Sequence, residues 1–508
     1  MAVKIFAAID VGSYELAMKI FQFSAKGGMQ EIDHIRHRIE LGTDTYNTGK
    51  ISRERVEELC SILGEFREIM DSYHVDAYRA YGTSAIRETV NAPIVLGQIK
   101  LRTGLTVEML SNSEQRFMHY KAVASRGEQF STLIEEGAAV VDIGGGSIQL
   151  SLFDKDTLVT TQNIRLGILR MREQLMDLKP KTTHYEKLLE ELVDNQLHVF
   201  KRLYLKDKKI ANIIIVDDYI SYVMQRLGKG GDIVTAGQFA DFVDLMRRKN
   251  PEEVASDFGI AQESASLLLP SAILVRRILK ATHAEKIWAP GVSLADGIAY
   301  EYGESGKYIK NRHDFENDIV ACAINMGKRY QADKERNRLL ETVALQLFDY
   351  TKKIHGMGKR ERLLLRIAAL LNDCGRYISL EAAAECGYSI IMATEMIGLS
   401  HAEREIVANL VRFNKAPFDY RGAQCGRSYL EIAKLCAIFR VADGICRSYR
   451  TKVQDVKFSQ KDETLVISVD ADEEITLEKG FFGRKAGMFE EVFGITPVLR
   501  QKKNLHAF

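Results

Sequence analysis

Short apolar runs broken by turn residues dominate the first part of the chain. Val3–Ile9 is an apolar run with β-branched residues that stops at Asp10-Val11-Gly12-Ser13, which predicts a strand and a turn. Leu16–Phe23 resumes the apolar character, as the returning strand of a hairpin would. Ser52–Tyr73 then places Val56, Leu59, Ile62, Leu63, Phe66 and Ile69 at helical spacing. Ala77–Tyr81 reads as a strand, and Thr83 opens a second helical stretch. Val107–Leu110 is another strand, with Ser111 placed to cap the helix after it.

The pattern then restarts. Ala138–Asp142 is an apolar strand, Gly144-Gly145-Gly146-Ser147 a turn, and Ile148–Asp154 an alternating return strand. Strand, Asp-x-Gly turn, strand thus occurs twice, about 130 residues apart. Duplication of one β-rich unit is the economical reading; coincidence is the other, because such turns are common. Ile210–Val216 is one more strand of the buried kind. From Lys307 to Tyr449 the period is helical, clearest in Leu339–Tyr350, Leu363–Leu371 and Arg440–Ile445. Beyond Thr451 alternation returns at Val456, Phe458, Leu465, Ile467 and Val469, with a closing helix around Met488–Phe493.

Length and charge narrow this further. At roughly 150 residues per domain, 508 residues suggest three to four domains. Lys plus Arg is 70 against 69 for Asp plus Glu, which lacks the basic excess of a dedicated nucleic-acid binder. No apolar run approaches the roughly 18 residues that span a bilayer, and Met1–Ile9 ends at Asp10 without a cleavage signal. The seven cysteines (Cys60, Cys322, Cys374, Cys386, Cys425, Cys436 and Cys446) are odd in number and form no C-x-x-C pair. They read as buried thiols in a reducing compartment, hence a cytoplasmic protein without a structural zinc site.

The glycine turns carry the chemistry. Three glycines after a strand let backbone N–H groups approach a ligand closely and cradle phosphate oxygens. Ser147 adds a hydroxyl, and Asp142 a carboxylate for a divalent metal. The competing reading is a tight hairpin in which Asp caps its own backbone. The matching Asp10-Val11-Gly12-Ser13 turn tips the balance, since two such turns facing each other make a phosphate clamp. Gly82–Arg87 ends a strand and opens a helix, where backbone donors suit an anion and Arg87 can grip phosphate bidentately; taken alone, a surface arginine on a first helical turn is the favoured reading.

Together these stretches resemble the exopolyphosphatase and guanosine pentaphosphate phosphohydrolase (Ppx/GppA) family of the sugar kinase, Hsp70 and actin superfamily. The matching residues are Ala8–Ser13, Gly82–Arg87, Ser111–Glu114, Val141–Ser147, Leu166–Arg170, Pro290–Gly297, Arg440–Asp443 and Phe489–Gly494, in family order and spacing. The resemblance implies an α/β fold: two duplicated ribonuclease-H-like domains (1–125 and 126–305), an α-helical HD-like domain (306–453) and a small C-terminal α+β domain (454–508). It implies a homodimer that acts on polyphosphate or a guanosine alarmone, without membrane or nucleic-acid partners. Mg2+ would rest on Asp10 and Asp142. Gly12, Ser13, Arg87, Gly144, Gly145, Gly146 and Ser147 would bind phosphate.

This chain departs from the family pattern at chosen places. The first turn continues Tyr14-Glu15 instead of Asn-Ser, and Tyr14 is expected to crowd the phosphate. The family's water-activating glutamate falls on Gln115, and an acid beside the metal on Gln149. A glutamine accepts no proton as a base, so catalysis would pass to Glu114 or Glu15, Glu114 lying about 100° around the helix from Gln115. Val216-Asp217-Asp218-Tyr219 stands where a second glycine-rich loop is expected. Asn372 and Asn414 replace histidines of the helical domain, which removes its metal site. The alternative to an enzyme is therefore a catalytically impaired member that binds an alarmone, nucleotide or polyphosphate as a regulatory module. A stripe of cations (Lys328, Arg329, Lys334, Arg336, Arg338, Lys352, Lys353, Lys359, Arg360 and Arg362) is read as a solvated helical face rather than a polyphosphate path. His119, His355 and His401 lack metal-ligand spacing and are read as structural.

Overall fold

Asp10 closes a strand, β1 (Lys4–Val11), whose alternate residues are buried on opposite sides, as a two-residue period requires. Ala7, Ile9 and Val11 pack with Leu59, Leu63 and Phe66 of the helix Arg53–Ser72; Phe6 and Ala8 pack with Phe23 and Ile298. The chain is described here from a computed structural model. It covers residues 3–502 apart from 177, 183, 206–207, 218–219, 222, 225–232, 261, 311–312, 421–426 and 449–451. Asp218, Tyr219 and Cys425 lie outside the described residues. Two compact units form, Met1–Asp318 and Ile319–Phe508.

In the first unit β1 runs antiparallel to β2 (Glu15–Ser24), and β2 antiparallel to β3 (Gly28–Arg38). On the other side β4 (Ala77–Gly82) lies parallel to β1, and β5 (Val107–Met109) parallel to β4. The first sheet is therefore ordered β3-β2-β1-β4-β5. The second sheet comprises β6 (Ala138–Ile143), β7 (Ile148–Asp154), β8 (Thr157–Ile164), β9 (Asn212–Val216), β10 (Ile233–Thr235) and β11 (Lys286–Trp288). Read from β8, its order β8-β7-β6-β9-β11 repeats the first sheet, and β10 is added antiparallel at the edge.

The repeat extends to the hairpin turns. Val11 pairs with Leu16, and Ile143 with Ile148. Each turn is closed by a glycine N–H, Gly12 onto the Glu15 carbonyl and Gly144 onto the Ser147 carbonyl, both at 3.0 Å. A Cβ on Gly12 would stand 2.7 Å from that carbonyl, so the turn admits no side chain there. The duplication suggested by two Asp-x-Gly turns is thus written into strand order, direction and turn geometry.

The helix Asn112–Ala124 follows β5. Ser111 caps it, its Oγ accepting from the Glu114 N–H, while the Glu114 carboxylate accepts from the Ser111 N–H at 2.9 Å and its hydroxyl at 2.6 Å. Its far side meets the helix Leu294–Ser305 so closely that a Cβ on Gly297 would lie 2.0 Å from the Met118 carbonyl. Tyr120 sits among Phe130, Phe153 and Phe315 and bonds through its hydroxyl to His313 and Asp318. Burial pushes the Tyr120 phenol well up.

Burial alone would lower the His313 imidazole, but the Asp318 hydrogen bond and charge hold it above its ordinary value. A raised folded pKa stabilises fully below the unfolded value, about 6.5, and that stabilisation is lost as pH rises through the folded pKa. The midpoint of thermal unfolding is therefore expected to fall across the window above pH ~6.5. His313→Gln is expected to flatten that fall, measured by circular dichroism at a series of pH values. An unchanged slope in the variant would assign the effect to another group.

The second unit opens within the helix Phe315–Arg329 and continues in helices that include Lys334–Tyr350, Lys359–Leu371, His401–Lys415 and Arg427–Ile445. It ends in a three-stranded sheet, β12 (Val453–Lys461), β13 (Thr464–Ala471) and β14 (Thr496–Gln501), with the helix Thr476–Phe493 between the last two strands. Among the described cysteines none is bonded to another, and burial raises the Cys374 and Cys436 thiols to about 12. No described helix is long and apolar enough to cross a membrane.

Candidate active site

Both Asp-x-Gly turns open into one cavity of about 150 Å3 in the first unit. Asp10, Gly12 and Ser13 reach it from the first turn, Asp142, Gly144 and Gly145 from the second. Two acidic strand ends and two glycine turns therefore converge on one space, the arrangement a phosphate clamp needs. Tyr14 lines the same cavity, 9% exposed, with the Arg38 guanidinium 5.4 Å from its ring centre. The aromatic side chain expected to crowd a phosphate does stand at the cavity. Glu15 also lines it, with its carboxylate held by the Arg36 guanidinium at 2.9 and 2.8 Å.

Several expected site residues do other work. Glu114 does not line the cavity; its carboxylate is the acceptor of the Ser111 capping box, which removes it as the water-activating base. Arg87 is likewise absent from the lining and donates to the Leu110 carbonyl at 2.7 Å and to Gln115 Oε1 at 3.4 Å. Gly146 and Ser147 stand back from the cavity. A Cβ on Gly146 would meet the Tyr46 hydroxyl at 2.3 Å, and its carbonyl accepts from Arg170 Nε at 2.7 Å. Gln149 is buried and accepts from Arg116 Nε at 3.0 Å, away from the cavity. Asp217 does line the cavity, and its Oδ1 accepts from the Ile220 N–H.

The residue the sequence reading missed is His119. It lines the cavity and is 7% exposed, and its Nδ1 lies 2.6 Å from Asp142 Oδ2. Gln115, also in the lining, precedes it by four residues on the same helix, so both side chains share one helix face. That spacing was the available signal: an imidazole one turn beyond the position of the expected acid. His119, read from the sequence as structural, thus lies in the cavity wall. A His–carboxylate pair inside a glycine-walled cavity is a means of activating water, because the carboxylate fixes the ring and leaves Nε2 as its basic nitrogen.

A hydroxyl cluster joins the turns. Ser13 Oγ lies 2.9 Å from both Tyr46 OH and Ser84 Oγ, which are 3.1 Å apart. Burial raises the Tyr46 phenol, so it serves as a neutral hydroxyl. Arg170 lies 4.5 Å from the Tyr46 ring centre and bonds to Glu88 at 2.6 Å, tying the second sheet's turn to the first half of the unit.

The family model of the Ppx/GppA phosphatase family matches residues 20–305, and that of Ppx/GppA phosphatase domain III matches residues 320–480. The chain belongs to the Ppx/GppA phosphatase family. It is similar to guanosine-5'-triphosphate,3'-diphosphate pyrophosphatases of Aeromonas hydrophila (21% identical over 452 residues, 87% of each chain) and Photobacterium profundum (21% over 485 residues, 92% of each). Among solved structures it is similar to the Aquifex aeolicus family member, with TM-score 0.51, 23% identity, and coverage of 62% of this chain and 100% of that one. An exopolyphosphatase of Cytophaga hutchinsonii gives TM-score 0.51 and 18% identity over 59% and 98%. The structural likenesses carry the α/β fold of the first unit, with its sheet-containing N-terminal domains, and the domain III match covers the helical region after them.

For a Ppx/GppA chain the donor set suits Mg2+ in one way only. The described residues hold no group of three or more metal-ligating side chains, and Asp142 gives one oxygen to His119. Mg2+ readily keeps most of its waters and takes one or two carboxylates plus substrate phosphates. Asp10 and the second oxygen of Asp142 would provide that minimum.

Proposed function

We propose that this chain is a phosphohydrolase that removes the terminal phosphate of inorganic polyphosphate or of pppGpp with Mg2+. The observation that carries the reading is the His119–Asp142 pair inside the cavity formed by the two glycine turns. A phosphate chain enters against the small surfaces of Gly12, Gly144 and Gly145, which let its oxygens come close to the backbone. His119, oriented by Asp142, takes a proton from water as its oxygen bonds to the terminal phosphorus. The bond to the bridging oxygen breaks, and phosphate leaves. Asp10 and Asp142 would hold Mg2+, which would supply charge neutralisation on the phosphate oxygens. The guanosine substrate in the names of the Aeromonas and Photobacterium relatives supports pppGpp as one of the two candidates. A cytoplasmic homodimer and an HD-like helical domain that holds no metal belong to the same reading.

A regulatory module is the second reading, favoured by Gln115 in the cavity wall. Phosphate release from polyphosphate and from pppGpp, measured with Mg2+, separates the two. Absent turnover together with calorimetric binding of ppGpp would establish the regulatory module. Gln115→Glu adds a second proton acceptor to the cavity and is expected to raise turnover roughly tenfold or more, within the 10²–10⁴ range of a positioned base. Gln149→Glu is expected to give no gain, because that side chain faces Arg116. A gain from Gln149→Glu and none from Gln115→Glu would reverse this assignment.

A further inference from the structure

A second groove, of about 540 Å3, lies in the second unit between the helices Phe315–Arg329, Lys334–Tyr350 and Lys359–Leu371. Volumes of ~300–1,000 Å3 are those of nucleotide-sized ligand sites. Of the ten cations of the helical stripe, four line it: Lys328, Lys334, Arg338 and Arg362. Arg336 is buried against Asp373 and Asp443, Arg360 pairs with Glu403, and Arg362 holds Asp349 at 2.8 and 2.7 Å. Lys328, Lys334 and Arg338 line the groove.

The carboxylates of this groove are already engaged. Asp349 is taken by Arg362, Glu341 by Arg366 at 2.6 Å, and Asp333 caps the helix by accepting from the Arg336 N–H at 2.8 Å. No described carboxylate pairs with Lys328, Lys334 or Arg338. Lys334 and Arg338 are one turn apart at the start of their helix, where the backbone also favours an anion.

Beyond that cationic end apolar side chains join the lining, which there also holds Gln346, Arg366 and the Asp349–Arg362 pair. The apolar ones are Ile324, Leu345 and Leu370, and Leu345 lies seven residues, about 10 Å along the helix, from Arg338. Asn337, 3% exposed and also in the lining, donates to the Leu370 carbonyl at 3.1 Å. Its Oδ1 has no hydrogen-bond partner among the described residues. A purely ionic ligand has no use for apolar side chains in its site. A nucleotide has charged phosphates at one end and a flat, largely apolar base at the other.

We propose that this groove binds a nucleoside diphosphate, with its phosphates at Lys328, Lys334 and Arg338 and its base on Ile324, Leu345 and Leu370. Calorimetric titration of the full chain with GDP, ADP and inorganic pyrophosphate tests it. Saturable nucleotide binding is expected, tighter than that of pyrophosphate and weakened by added salt. Lys334→Glu with Arg338→Glu is expected to lower nucleotide affinity roughly tenfold or more, and both side chains are exposed, so the unfolding midpoint is expected to hold. Leu345→Arg should weaken the nucleotide and spare pyrophosphate. Pyrophosphate binding as tightly as the nucleotides, affinity untouched by the charge reversals, or no saturable binding would each overturn the proposal.

Discussion

His119→Gln is expected to slow phosphate release by about 10²–10⁴-fold, the usual worth of a positioned acid–base group. The substitution keeps a planar, polar side chain of similar reach, whose amide still donates to Asp142. The helix Asn112–Ala124 keeps its Ser111 cap and its contact with Gly297, so the unfolding midpoint should change little. What is lost is the basic nitrogen. The loss should appear in kcat with KM nearly constant, because binding rests on the glycine turns. Asp142→Asn is expected to act through the same step, since an amide no longer holds the imidazole with Nδ1 as donor.

The decisive form is a double variant. His119 and Gln115 share a helix face in the same cavity, so His119→Gln combined with Gln115→Glu moves the base by one turn instead of deleting it. Recovery of a substantial part of the lost rate would show that the cavity tolerates its base at either position. Unchanged turnover in His119→Gln alone would move water activation elsewhere, to Glu15 or Asp217, which also line the cavity.

How much of this was written in the sequence differs from residue to residue. Strands β1 and β6 were legible from short apolar runs that fill their buried centres, and β2 and β7 from apolar residues returning directly after each turn. β3 was not. It lies at the edge of its sheet and most of its residues are partly exposed, so charged residues outnumber apolar ones and no run forms. β10 and β11 have three residues each, too few for a period. Asp10 and Asp142 were found because a turn must follow a strand at a fixed place, and the turn fixes which side chain ends the strand. Glu114 and His119 were misjudged for one reason. A helix face is set by rotation, and the sequence does not say which face meets the cavity. The capping box Ser111-x-x-Glu114 was itself a legible signal that Glu114 is spent at the helix end.

Arg336→Met is expected to cost about 3–5 kcal/mol in the second unit, toward the lower end. Arg336 is 6% exposed and donates to Asp373 Oδ2 at 2.8 Å, Asp443 Oδ1 at 2.5 Å and the Cys446 carbonyl at 3.1 Å. Removing it strands two buried carboxylates. Lys485 at 2.9 Å from Asp443, and Lys415 at 3.3 Å from Asp373, offset part of the loss. Asn372 and Asn414, where the family resemblance places histidines, bond to each other at 2.8 Å beside this cluster. The charge that a metal would bring to Asp373 and Asp443 is brought by Arg336, Lys415 and Lys485. Burial alone would raise the Asp443 carboxyl, but Lys485 and Arg336 hold it below its ordinary value. That contribution is present above the unfolded pKa, about 3.9, and is lost as pH falls through the folded pKa. Urea unfolding followed by circular dichroism should show the midpoint of the second unit fall in Arg336→Met. Adding Asp373→Asn and Asp443→Asn should restore part of it, because no carboxylate is then left buried without its counter-charge. A triple variant no more stable than Arg336→Met would mean that lost packing of the long arginine stem, and not stranded charge, sets the cost.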